Sequence, residues 1–387
     1  MKIVLLLSAL VILTQCQTKQ EGSHATYVNV NGNKMIDCNI SDVTDTVDFP
    51  LSRIIAKCEM IQLETIKESL FKSVYHVGIS DNFIAIHSRG QMPIKLFNRQ
   101  GKFIRDIGTI GRGPGEFTSL YGIQLDEQAN KLYLTPFAHA QKLIVYSLDN
   151  ENLPDIPLVY KQTKCCAYVN GDIVTVLSMP FKIKDVEPIP IACQQTTDGK
   201  LIQKIKTPEH LAINPFNEKG QFGGFNSELS SSHNAGAFDI YTFTWGNKGY
   251  DTLYHYDVKA NRLVPKYVAS FTGKKHGSWT YEWKSYYYTW LFGDKYKGAK
   301  VIVDKKTLKS AFFNVINDFY GDIELKKFFM SNNGMFIGAM SAFELIKAFD
   351  EALKNGDLSN KERKKIETLR KSLHEDDNEI LFVGKML

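Results

Sequence analysis

Nine histidines, a run of aromatic residues and one arginine–glutamate pair are the side chains of this 387-residue chain best suited to chemistry. His76, His87, His139, His233 and His255 are scattered along it, and imidazoles that meet on one axis can hold zinc or move protons. Their spacing matches no ligand motif. The chain has no Gly-x-Ser-x-Gly elbow, His-Glu-x-x-His helix, phosphate-cradling loop or Cys-x-x-Cys pair. Ser69-Leu-Phe-Lys72 has the Ser-x-x-Lys spacing but none of the motifs that accompany it in enzymes. Catalytic residues, metal ligands and cofactors are therefore assigned to none.

Aromatic residues crowd the stretch from His276 to Phe292: Trp279, Tyr281, Trp283, Tyr286, Tyr287, Tyr288 and Trp290. Side chains alternate along a strand, so half of these would face a groove or solvent, where aromatic rings stack on sugars or anchor a protein. Trp279, Tyr281, Trp283 and Trp290 are the candidate binding residues, and bulky packing between sheets is the plainer alternative. Arg112 is a candidate anion contact. The alternative for Arg112 and Glu116 is that they fix their own glycine-rich turn.

The elements that must position these side chains are short strands. Val74–Gly78, Phe83–Ile86, Ile94–Phe97 and Phe103–Ile107 form a first group of four. Similar groups run over 123–160, 167–205, 238–271 and 286–313, and a sixth begins at Phe328. Four-strand units recurring every ~40–50 residues favour a β-propeller over a sandwich or barrel. Between the first two groups lies Gly108-Thr-Ile-Gly-Arg-Gly-Pro-Gly-Glu-Phe117, whose glycines allow positive φ while Pro114 fixes its own. Such a loop suits the passage from the outer strand of one blade to the inner strand of the next. Two helices interrupt the last group at about 342–374. Phe343, Ile346, Phe349 and Leu353 are expected to line one face of the first, and Ser359 with Glu362 forms a capping box on the second. Pairing of Ile54–Leu63 with Ile380–Gly384 in one blade would close the ring. Residues Phe222–Phe225 with Ser230–His233 read as a long loop near the central mouth.

The N-terminus resembles an export signal. Lys2 precedes an apolar run, Ile3–Leu13, that is too short to span a bilayer, and Leu13-Thr14-Gln15-Cys16 resembles a lipobox with Gln15 at its usual small-residue position. Residues 1–15 read as a lipoprotein signal peptide, with Cys16 as the lipidation site. Residues 16–50 read as a flexible arm and 51–387 as the propeller. The formal charge of +5 and a basic run, Lys361–Lys371, broken by Glu362 and Glu367 argue against nucleic-acid binding. With 43% hydrophobic residues the chain can bury a core. Cys38, Cys58, Cys165, Cys166 and Cys193 fit no metal or disulfide framework, although Cys193 could bridge to either of its two predecessors.

The strand at Ile61-Gln-Leu-Glu-Thr65, the glycine loop, Leu263-Val-Pro-Lys-Tyr267, Val303-Asp-Lys-Lys306 with Asn317-Asp318, and Glu375-Asp-Asp-Asn378 together resemble the six-bladed β-propeller lipoproteins of Bacteroidota. Those are related in pattern to NHL-repeat and TolB-like propellers. The resemblance implies an all-β, six-bladed propeller with a short two-helix insertion before its C-terminal strand. It also implies an exported, outer-membrane lipoprotein of the cell envelope, facing the periplasm or the surface. The resemblance carries little function with it; from Cys16 and the 279–290 aromatic cluster the chain is expected to be anchored to the membrane by lipid and to bind a glycan, peptide or envelope protein, as a recognition scaffold rather than an enzyme. The alternative is a metal-dependent hydrolase or lyase with its site in the central channel.

Overall fold

The computed structural model describes residues 22–88, 90–137, 140–182, 188–216, 219–221, 227–233, 236–244, 252–273, 276–293, 295–330, 334–355 and 358–387. They form a six-bladed β-propeller, each blade built on four antiparallel strands. From the axis outward, blade one is Val74–Ile79, Phe83–Ser88, Ile94–Asn98 and Phe103–Ile107. Blade two is Leu120–Asp126, Lys131–Pro136, Ala140–Ser147 and Asn152–Gln162. Blade three is Cys165–Asn170, Ile173–Ser178, Ala192–Thr196 and Leu201–Ile205. Blade four is Ser227–Ser230, Phe238–Thr244, Thr252–Asp257 and Arg262–Ser270. Blade five is Ser278–Glu282, Tyr286–Leu291, Lys300–Asp304 and Ser310–Asn317. Blade six takes Lys327–Met330, Met335–Met340 and Ile380–Lys385 from the end of the chain and Glu59–Ile61 from its beginning. The inner strands of blades four and five, Ser227–Ser230 and Ser278–Glu282, were not among the strands expected from the sequence.

The period-two alternation of each strand distributes the core among the blade interfaces. Leu132 and Leu134 pack toward blade one, whereas Tyr133 packs with Val174 and Val176 of blade three. Cys165 and Cys166 follow the same rule, one joining the cluster with blade two and the other the cluster with blade four. All five described cysteines are free thiols, and burial pushes the Cys193 thiol up to about 11. Between blades five and six the cluster is heavily aromatic, with Trp283, Tyr286, Tyr288, Phe313, Phe336 and Phe382 in one buried group.

Ring closure is made by main chain. Leu381, Phe382 and Val383 pair with Ile61, Met60 and Glu59, and an outlying bridge joins Ile55 to Met386. At Gly384 the two chain ends come so close that a Cβ would sit 2.6 Å from the Lys57 carbonyl oxygen and 2.5 Å from Ile55 Cδ1.

The expected flexible arm is ordered from Ala25 onward. Ala25–Val30 and Asn33–Asn39 form a hairpin whose second strand runs parallel to the outer strand of blade four. Thr46–Pro50 then runs parallel to the outer strand of blade five. The added strands hydrogen-bond edges that would otherwise be exposed, and they bury Ile36, Cys38, Ile40 and Phe49. Polar residues such as Asn33, Asp37 and Asp48 lie among these apolar ones and gave the segment its disordered look.

The helical insert is α1, Ala342–Lys354, and α2, Asn360–Ser372, capped by Ser341 and by the Ser359–Glu362 box. The buried face of α1 is Ala342, Leu345, Ile346 and Phe349, packed with Tyr320, Ile323 and Leu325 at the outer side of blades five and six. Phe343 is 57% exposed, against expectation. It lies outside the i, i+3, i+4, i+7 stripe that Ala342 begins. The expected four-glycine loop is also more selective than its sequence suggested. Gly108 and Gly115 have φ 82° and 77°, whereas Gly111 has no positive φ and only leaves room for the Glu116 carboxylate, which a Cβ there would displace.

Closure through Gly384 yields a direct expectation. Gly384→Ala should cost about 1–3 kcal/mol of stability, because its new methyl meets backbone rather than a flexible side chain. Gly122→Ala, with nothing within 4 Å of the added Cβ, should leave the melting temperature close to wild type. Calorimetry of both variants compares them, and equal melting points would show that the closing blade tolerates separation.

Candidate functional site

A cavity of about 1640 Å³ lies on the axis and is lined by residues of all six inner strands, among them Tyr75, Gln124, Tyr168, Leu229, Tyr281 and Phe328. Its wall extends through Trp290 and Phe292 into the turn Lys295–Gly298, which joins the second and third strands of blade five. The cavity therefore reaches the face that carries such second-to-third-strand connections, as does the helical insert of blade six.

The side chains at the wall are set by strand geometry. A bulge between Val74 and His76 breaks the regular pairing of blade one and leaves Tyr75 42% exposed in the channel. His76 stands opposite His87 on the neighbouring strand, with their Nδ1 atoms 2.9 Å apart and their rings nearly parallel. One of these nitrogens donates and the other accepts, so the pair shares a single proton. Burial lowers the pKa of His76 to about 3, helped by His87, and burial alone lowers that of His87 to about 4. Both rings are accordingly neutral near neutral pH.

On the opposite wall Glu228 Oε1 accepts from the buried Lys164 ammonium at 2.6 Å, and its Oε2 accepts from the Tyr121 hydroxyl at 2.9 Å. Lys164 also donates to the Ser227 carbonyl at 2.6 Å and lies 5.4 Å from the Phe137 ring centre. This cluster fixes the inner strand of blade four against blade two. A second buried cluster clamps blades four and five together. Burial alone would raise the Glu282 carboxyl, but His255 and Lys305 bond to it and hold it below its ordinary range. Nearby Asp239 is raised to about 7 by burial, although the Ser232 backbone N–H and hydroxyl donate to it.

The expected convergence of five histidines reduces to the His76–His87 pair. His233 stacks on Phe238, His255 bonds Glu282, and His139 lies outside the described residues. Among the described residues no three His, Cys, Asp or Glu side chains come within metal-binding reach of one another.

Of the candidate binding residues, Trp279, Tyr281 and Trp290 line the cavity. The Trp279 and Tyr281 rings are parallel within 2°, and Tyr281 stacks in turn on Tyr288. Trp283 is a correction: it is only 1% exposed, in the core with Phe49, Tyr288 and Phe313. It lies just beyond the inner strand, where the turn to Tyr286 ends the alternation and turns the indole inward. Arg112 is exposed on the glycine loop and is not part of the cavity wall. Glu116 Oε2 accepts from Gly113 N at 2.7 Å, so this carboxylate fixes its own turn. Phe222–Phe225 and Cys16 lie outside the described residues.

Sequence reasoning missed Tyr75, whose exposure depends on a bulge. It also missed the lysines of the wall, Lys295, Lys297, Lys300, Lys326 and Lys327. Three of these follow the aromatic run within a few residues, a signal visible in the sequence.

The histidine pair sets a pH dependence. Unfolded imidazoles take up protons below their ordinary pKa of 6.5, whereas the folded pair resists until about 4 and 3. Its contribution to stability is therefore complete above pH 6.5 and is lost as the pH falls from there toward 4. Urea unfolding at stepped pH should show a shallower slope over that window for His76→Gln than for wild type.

Comparison with solved structures agrees with the propeller. A protein of Bacteroides fragilis described as a "Putative exported protein" superposes with a TM-score of 0.58 at 17% identity, covering 87% of this chain and 99% of its own. At that identity the likeness concerns the fold alone. A Bacteroides vulgatus member of the duf4221 family gives a TM-score of 0.48 at 13% identity, with coverage of 85% and 96%. No curated protein matches the chain. Residues 34–385 match the family described as a domain of unknown function, DUF4934, and the chain belongs to that family.

Proposed function

We propose that this protein is a lipid-anchored propeller of the cell envelope that binds a ligand or protein partner at the mouth of its central channel. The observation that carries the reading is the axial cavity with its aromatic wall. At about 1640 Å³ it exceeds the ~300–1000 Å³ usual for a small-molecule pocket, which favours an oligomeric ligand or a polypeptide segment. Tyr75 and Trp290 stand exposed at its wall, and Phe137, Phe216 and Phe343 are exposed on connections of the same face. Single exposed apolar side chains are ordinary, but several gathered on one face mark an interaction surface.

The anchoring part of the reading rests on the sequence: Lys2, the apolar run to Leu13, and Cys16 as the acylated residue, with 1–15 removed as a signal peptide. No described helix is long and apolar enough to cross a membrane. The export description of the Bacteroides fragilis neighbour accords with the reading. We assign the blades to the NHL-repeat and TolB-like pattern on the strength of the Gly108–Phe117 loop, and the envelope location to the outer membrane.

Two measurements test this. Radiolabelled palmitate should enter the wild-type protein in cells and not the Cys16→Ser variant, and labelling of both or of neither would remove the anchor. On a combined glycan and peptide array the full-length protein should give signals that a Tyr75→Ala/Trp290→Ala variant loses at unchanged melting temperature. A blank array for wild type would refute the binding reading.

A further inference from the structure

The charge at the channel mouth is one-sided. Among the described residues lining the cavity are five lysines, all on blades five and six, against two glutamates. Glu228 is already engaged by Lys164 on the far wall, and Lys327 is paired with Glu379, which leaves four lysines facing Glu324. Lys300 is the most informative of these. It is half-buried, its ammonium lies 5.5 Å from the Phe328 ring centre, and no described carboxylate is within ion-pair distance of it. Burial lowers its pKa, so the fold keeps a cation in a place where it costs free energy.

The neighbouring wall adds donors without acceptors. Trp279 Nε1 and the Tyr296 hydroxyl are buried and have no hydrogen-bond partner among the described residues. Native proteins rarely leave such donors unsatisfied without a reason, and a bound acceptor is one. Tyr296 lies beneath Lys295, whose ammonium is 4.9 Å from its ring centre. Trp290 packs against Phe292 at 4.7 Å and keeps its ring exposed at the wall, while the Trp279 and Tyr281 rings are stacked between Phe243 and Tyr288 behind it.

We propose that the blade-five wall of the channel mouth receives an anionic group carried on a pyranose ring, so that the ligand of the channel mouth is an acidic glycan. The inference rests on the binding reading above and narrows it to a ligand class. Flat aromatic faces match the C–H faces of sugar rings. Lysine ammonium groups match a carboxylate or sulfate, and the unpartnered indole and phenol donors match its remaining oxygens or the ring hydroxyls. A neutral glycan would leave Lys300 with only the Glu324 carboxylate, beyond ion-pair distance, to offset its burial. An acidic peptide would satisfy the lysines but would make less use of the exposed Trp290 ring beside them.

The test is calorimetric titration of the full-length protein with a panel of oligouronates, sulfated neutral oligosaccharides, unmodified neutral oligosaccharides of matched length, and oligoglutamate. The acidic sugars should bind at least about tenfold more tightly than the neutral ones, with affinity falling as salt rises. Oligouronate against sulfated sugar tells which anion the wall takes. Lys300→Gln and, separately, the exposed Lys295→Gln should each weaken acidic-sugar binding by about tenfold while neutral-sugar binding is unchanged. Equal affinity for neutral and acidic sugars would overturn the acidic-glycan assignment and leave a glycan-binding mouth. Tighter binding of oligoglutamate than of any sugar would overturn it in favour of a peptide. No binding of any probe would overturn both this assignment and the binding reading beneath it.

Discussion

A strand at the end of a sheet exposes a row of unpaired backbone donors and acceptors, and the whole architecture depends on removing such edges. Blade six does so by taking its outer strand, Glu59–Ile61, from the start of the propeller sequence and pairing it with Ile380–Lys385 from the end. The ring is held by main-chain hydrogen bonds between residues some three hundred positions apart. No blade can be added or lost without breaking that register. The same constraint acts at the rim, where the hairpin of residues 25–39 covers the edge of blade four and Thr46–Pro50 covers that of blade five. The two covered blades are neighbours, and Phe49 from the added segment enters the aromatic cluster between blades five and six. Edge protection and core packing are thus provided by one stretch of chain.

Closure fixes where polar groups can go. With both faces of every blade buried against a neighbour, the inward side of the innermost strands is where side chains meet an open space. The carboxylates buried between blades four and five are engaged: Glu282 by His255 and Lys305, Asp239 by Ser232. Each cluster joins a residue of an inner or second strand to one of another strand or turn, so electrostatics sets how blades four and five seat against each other. The weight of aromatic residues on blade five follows from this crowding. Tyr286 and Tyr288 fill the interface with blade six, Tyr287 fills the interface with blade four, and only the rings nearest the axis or the upper turn are left for the channel.

Much of this could be read from the sequence. The four strands of blades one, two and three, the two helix caps and the closing pair of strands were all marked by alternation, turn residues or capping spacing. Inner strands of blades four and five were not, because Ser227–Ser230 is only four residues long and Ser-Trp-Thr-Tyr-Glu, although it alternates, buries its polar members Ser278, Thr280 and Glu282 rather than its rings. The N-terminal hairpin does carry a local mark, the Asn31-Gly32 turn with both residues at positive φ, but the docking of its second strand and of Thr46–Pro50 on outer strands more than two hundred residues away has none. For the site, the residue types were legible but not their directions. Trp279, Tyr281 and Trp290 reach the cavity while Trp283, of identical local character, is core, since one turn ends the alternation between Tyr281 and Trp283.

The distribution of unsatisfied groups separates scaffold from site. Glu228, Lys164 and Tyr121 on one wall form a closed network in which every charge has a partner, so that wall needs nothing from a ligand. Across the channel, Trp279 Nε1 and the Tyr296 hydroxyl are buried without an acceptor among the described residues, and half-buried Lys300 has no described carboxylate within ion-pair distance. Removing a polar group from water without a partner costs on the order of 1–3 kcal/mol. Isolated unsatisfied atoms occur elsewhere among the described residues, Trp283 Nε1 and Gln162 Oε1 among them, but neither of those residues lines the cavity. Trp279 and Tyr296 do line it, on the blade that also carries Lys300 and the exposed ring of Trp290, which is what a wall shaped by something it binds would show.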